Sequence, residues 1–266
     1  MSNLKVENYF PKQEARIRPS RFLYQADNGN LFPCHIRERS SDLYFRSKRT
    51  QKEIANLLLK ENYPCIGALR SFHRNEYQVG LYPGTAGPSR STVVRNDLLY
   101  FLERQKETQS SYLSFWAVFD ETRSFSENEF EQWLWSQLSS LTSDSLKKTD
   151  WPQGADADPE SKSFSFCIGG HELFVVGLHC ASSRLSRRFP WPTLIFNSFD
   201  QFNLLKQKGH FNKMVEINRS LDEKFQGTAN PMAVQWGEKW EAIQFSGKEN
   251  PPTWKCPFHI HMEKKI

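Results

Sequence analysis

The chain has 266 residues, 38% hydrophobic and 14% aromatic, with a formal charge of +5. That length and ring content suffice for a full buried core and exclude a disordered chain, and the spread of the positive charge gives no reason to expect nucleic acid as a partner. Five cysteines (Cys34, Cys65, Cys167, Cys180 and Cys256) contain no C-x-x-C pair, which excludes a disulfide framework or a zinc ribbon and points to a reducing cytoplasm.

The first 22 residues lack a continuous apolar core, and no later run reaches bilayer length, so no membrane segment is expected. Residues 1–45 are polar, carry Pro11 and Pro19, and read as an arm that wraps the domain. Gln51 to Asn62 places Ile54, Leu57, Leu58 and Leu59 on an apolar helical face, ended by Tyr63-Pro64. Cys65 and Gly67 follow, at what reads as a helix-to-strand junction, and Tyr77 to Tyr82 reads as a strand. The loop from Pro83 to Pro88 matches neither phosphate-cradling glycine pattern. Arg90 to Lys106 then reads as a helix, and Ser111 to Phe119 as the most strand-like run, expected at the centre of the sheet. Ser126 and Glu129 have capping-box spacing and open a helix that carries Phe130, Trp133, Leu134 and Leu138 on one face.

Residues 147–162 read as a loop. Two alternating runs, Phe164 to Ile168 and Leu173 to Leu178, then flank Gly169-Gly170, the pattern of a β-hairpin on a positive-φ turn. His179 stands where the second run stops, followed by Arg184, Arg187 and Arg188. A neutral imidazole at a strand end beside guanidinium groups has the donors for a haem, with iron at the histidine and propionates at the arginines. It is also the pattern of a rim histidine above a solvated basic face. Beyond it, Thr193 to Phe196 reads as a short strand, Ser198 to Gly209 as a helix, and Phe211 to Phe225 as a helix with Met214, Ile217, Leu221 and Phe225 on one face. Strands and helices alternate irregularly, which predicts an α+β single domain: a mixed β-sheet with flanking helices over residues 46–258, and a tail over 259–266.

Several ordered segments together resemble the YqcI/YcgG family: YPCIGA from Tyr63, VGLHCASSRLSRRFPWPTLIFNSFDQF from Val176, NPM from Asn230, QFSG from Gln244 and WKCPF from Trp254. They are similar in particular to its GntA-type members, haem-dependent N-hydroxylases of guanidino groups. Cys180 stands where the family pattern has a proline after the histidine, and Leu69-Arg70-Ser71 where it has a Lys-Ser pair. The resemblance implies a haem-dependent monooxygenase binding haem b, with dioxygen, an external electron donor and a small guanidino or amino substrate as partners. It carries over two iron-ligand candidates, His179 and Cys65, with Arg184, Arg187 and Arg188 toward the propionates and Glu241, then Glu238, toward a cationic substrate. A non-catalytic haem-binding sensor or carrier would share these ligands. A non-haem metal site at Cys256, His259 and His261 is a further alternative, since Cys-x-x-His-x-His has the donors for zinc or iron.

Overall fold

The structure is a computed structural model that describes residues 17–35, 40–84, 88–108, 110–120, 124–142, 151–161, 163–232 and 241–258. The strands are β1 (Leu23–Asp27), β2 (Asn30–Pro33), β3 (Tyr77–Pro83), β4 (Ser114–Asp120), β5 (Phe166–Ile168), β6 (His171–Leu178) and β7 (Thr193–Ser198). The α-helices are α1 (Ser41–Leu58), α2 (Ile66–His73), α3 (Pro88–Glu107), α4 (Glu127–Thr142), α5 (Phe199–Gln207) and α6 (Phe211–Gln226). Among the described residues, no helix is long and apolar enough to cross a membrane.

The seven strands form one mixed sheet in the order β2-β1-β3-β4-β7-β6-β5, in which β3 and β4 run parallel and every other pairing is antiparallel. This is the α+β arrangement expected from the alternation of elements. β4 is central, as its composition predicts, and successive side chains point to opposite faces. Phe115, Ala117 and Phe119 enter one core with Leu98 and Phe101 of α3 and Phe130, Leu134 and Leu138 of α4. Trp116 and Val118 enter the other, with Ile54 and Leu57 of α1 and Tyr63. A strand apolar on both faces is stable only when both are covered, and helices cover both.

The Gly169-Gly170 hairpin forms as expected, with φ of 56° and 76° at the turn and Ile168 paired with His171. The Ser126–Glu129 capping box also forms: the Ser126 amide donates to Glu129 Oε2 at 2.9 Å and the Glu129 amide to Ser126 Oγ at 3.3 Å. Three expectations are corrected. Residues 23–33 are not a wrapping arm but a hairpin, β1–β2, that extends the sheet through β3. Cys65 caps a further helix, α2, instead of lying between helix and strand. The expected apolar face of α6 is not sealed: Ile217 is 38% exposed and Asp222 is the helix's one buried residue.

Candidate functional site

β6 ends at Leu178, and the chain loops out through residues 180–187 before returning beside it. The His179 amide donates to Arg187 O at 3.1 Å, and the Phe189 amide to His179 O at 3.2 Å, closing the loop at its neck. Phe130 of α4 stacks on the imidazole at 4.2 Å between ring centres and 20° between planes. That approach depends on Gly177, where a Cβ would stand 2.7 Å from Phe130 Cε1 and Leu134 Cδ1. His179 is 2% exposed. Burial lowers its pKa to about 4; Glu127 opposes the shift and the Arg187 charge adds to it. The ring is therefore neutral near pH 7, the state in which imidazole binds a metal.

Among the described residues its buried Nδ1 has no hydrogen-bond partner, and neither has the buried Ser182 hydroxyl three residues on. An unpaired buried polar atom costs about 1–3 kcal/mol, and two in one short loop mark a place where a group outside the chain is to be looked for.

The three arginines differ in what their guanidinium groups touch. Arg184 is buried and pairs with Asp222 Oδ2 at 2.5 Å, while also donating to Thr228 O at 3.1 Å. Arg187 donates to the backbone oxygens of Gly177 at 3.1 Å, Gln244 at 3.3 Å and Phe245 at 3.4 Å, and burial lowers its pKa. Arg188 donates through Nε to Ser182 O at 2.7 Å, is exposed, and lines an open cleft of about 240 Å³ with Glu53, Lys60 and Cys180. Arg184 and Arg187 thus tie α6 and the 241–244 turn to the loop, and Arg188 faces a cleft.

Cys65 is brought to the same loop, because the Tyr63 hydroxyl donates to Ser186 O at 3.2 Å. Its Sγ accepts the Ala68 amide at 3.4 Å as the cap of α2. Burial raises the thiol pKa; the Ala68 amide and the Arg187 charge oppose that rise. The charge of Arg187 acts on both candidate ligands. Glu241, half-buried, opens the 3-10 turn Glu241–Gln244 whose last carbonyl accepts from Arg187. Glu238, His259 and His261 lie outside the described residues, so of the alternative metal cluster only Cys256 is described, its pKa raised to about 12 chiefly by burial. Among the described residues, no group of three or more His, Cys, Asp or Glu side chains is placed to hold a metal ion.

Phe130, Ser182 and Asp222 were not singled out from the sequence as parts of this site. Phe130 reads there as core, which it is, and nothing in a linear sequence joins Asp222 to Arg184 across 38 positions. Gly177 alone carries a signal, a glycine inside an apolar strand, which marks a close approach of another element.

The model of the YqcI/YcgG family matches residues 54–259. Among curated proteins, the chain is 25% identical over 212 residues to the uncharacterized protein YcgG of Bacillus subtilis (strain 168), covering 74% of this chain and 81% of that protein. No solved structure matches significantly. The matched span runs from within α1 to the last described residues and includes Cys65, His179, the three arginines and Glu241, so this chain belongs to the YqcI/YcgG family.

Proposed function

We propose that this protein is a haem-dependent oxygenase that hydroxylates a guanidino or amino nitrogen of a small arginine-like metabolite, with His179 as the protein ligand to iron. The observation that carries the reading is the neutral, buried imidazole whose Nδ1 has no partner. The donor chemistry fits. A neutral ring offers a lone pair in its own plane, which a face-on Phe130 leaves open while fixing the ring's orientation. One protein ligand is enough for haem iron, so the absence of a larger ligand set among the described residues is no obstacle. Cys65 fits less well, because iron would need the thiolate and burial favours the thiol.

Arg188 is the arginine best disposed to meet a propionate, since Arg184 and Arg187 already donate to partners inside the protein. Haem would supply oxygen activation, and an external donor the electrons that reduce the second oxygen atom to water. The chain's own part is to hold the group at His179 and to orient the cationic substrate, for which Glu241 is the described carboxylate on the turn that Arg187 anchors. Five cysteines, none of them in a disulfide among the described residues, suit a reducing cytoplasm.

The test is a single-turnover assay of haem-loaded protein with reductant, dioxygen and a panel of guanidines, read by mass spectrometry. Gain of one oxygen atom by a guanidine supports the oxygenase. Haem binding with no guanidine oxidised would leave the non-catalytic sensor or carrier.

A further inference from the structure

A second cleft lies at the opposite end of the sheet from His179. β4 is antiparallel to β7 and β7 to β6, so β4 and β6 run in the same direction. His179 follows the end of β6, whereas this cleft is built from residues 110–112 just before β4, from the end of α2 and its cap, and from the turn after α5. It measures about 250 Å³ and is lined by Arg70, Arg74, Lys208 and His210 on one hand and Ser110, Ser111 and Tyr112 on the other.

The two arginines are held in place. The Arg70 guanidinium is held against Tyr112, donating to its hydroxyl at 2.7 Å and lying 5.1 Å from the ring centre. Arg74 is held by Glu76, through Nε to Oε1 at 3.1 Å, and the same carboxylate fixes the Ser110 hydroxyl at 2.5 Å. Each guanidinium keeps further N–H donors beyond those bonds. Ser111, 9% exposed, and Lys208 complete the lining. Glu76 balances one of the three positive charges of Arg70, Arg74 and Lys208, so the lining keeps a net positive charge before His210 is counted.

We propose that this cleft is a binding site for a small molecule carrying a phosphate group. Arg forks, a lysine and a hydroxyl approaching from separate elements match a tetrahedral oxyanion with several acceptor oxygens, and the arginines are oriented in advance by Tyr112 and Glu76. The volume falls just under the usual ligand-pocket range of about 300–1,000 Å³, which suits a single phosphate-bearing group and not a nucleic-acid groove. The site does not depend on the haem reading, because it shares no residue with the His179 loop.

The test is titration calorimetry on the full chain with inorganic phosphate, malonate and a short polyuridylate RNA at matched ionic strength. Phosphate should bind with saturation, and Arg70→Gln and Lys208→Gln should each weaken it roughly tenfold, the worth of one charge-assisted hydrogen bond. Lys52→Gln, which removes an exposed charge on α1, should leave binding unchanged. Lys208 is exposed at the helix end, so its variant keeps the fold and the test stands if Arg70→Gln does not fold. Equal weakening by Lys52→Gln, no saturable phosphate binding, preference for malonate, or tight salt-dependent binding of RNA would each overturn the proposal.

Discussion

Gly177 sets how closely α4 can approach the histidine. A methyl group there would meet Phe130 and Leu134 at 2.7 Å and the Phe245 oxygen at 2.9 Å. Gly177→Ala should therefore cost about 1–3 kcal/mol by overpacking and push Phe130 off the imidazole. Chemical denaturation reads the first effect and the His179 ring resonances the second. Arg184 and Asp222 form a buried pair, and removing one partner strands the other charge. Asp222→Ala should destabilise by about 3–5 kcal/mol, whereas the double substitution Arg184→Met with Asp222→Leu should lie near the wild type. On the proposed haem reading, a structural Arg184 predicts that the double variant keeps the haem affinity of the wild type; a large loss would return Arg184 to the propionates. His179 was legible as a candidate because a strand pattern stops at it. That Arg184 and Arg187 face inward was not, because their partners come from α6 and the 241–244 turn, far away in sequence.

At the scale of elements, the capping chemistry separates what was legible from what was not. α2 was missed because its cap is a thiol, and caps are sought among Ser, Thr, Asp and Asn. Cys65→Ser should hold or raise stability, since a hydroxyl is the better acceptor, while Cys65→Val should lower it by about 1 kcal/mol in thermal denaturation. An altered ferrous-CO band in the Cys65→Ser protein would instead make Cys65 an iron ligand. The β1–β2 hairpin turns on Asn28-Gly29, with φ of 46° and 70°, a strong two-residue turn signal set in an otherwise polar segment.

What ties this N-terminal segment down is Asp97 of α3, which accepts from the Ser20 amide at 2.7 Å, the Ser20 hydroxyl at 2.6 Å and the Tyr82 hydroxyl at 2.9 Å. Burial raises the Asp97 pKa against the opposing effect of these donors. The folded state then binds this proton more tightly than the unfolded state. Stability from Asp97 is thus fully present below the unfolded carboxyl pKa and declines as pH rises through the folded value. Asp97→Asn should flatten that decline in a pH series of urea denaturations; an unchanged slope would show that Asp97 does not titrate in that range.

For the whole molecule, the sheet was readable from alternation, and its central strand from β4, whose residues split between two cores. Strand order was not readable, because the antiparallel insertion of β7 between β4 and β6 follows from tertiary pairing. The sheet separates two places with unlike chemistry. At one end a neutral buried histidine waits beside Arg187; at the other, Arg70, Arg74 and Lys208 line a cleft with Ser110, Ser111 and Tyr112. Membership of the YqcI/YcgG family is established by the matched span, and the chemistry at His179 is the claim that needs a direct test.

The most direct measurement is the absorption spectrum of protein expressed with haem supplied, recorded before and after dithionite and carbon monoxide, for the wild type and His179→Ala. The expected result is a strong Soret band in the wild type that moves on reduction and again with carbon monoxide, and its loss or displacement in His179→Ala. No Soret band in the wild type, or an unchanged spectrum at full haem occupancy in His179→Ala, would contradict the account.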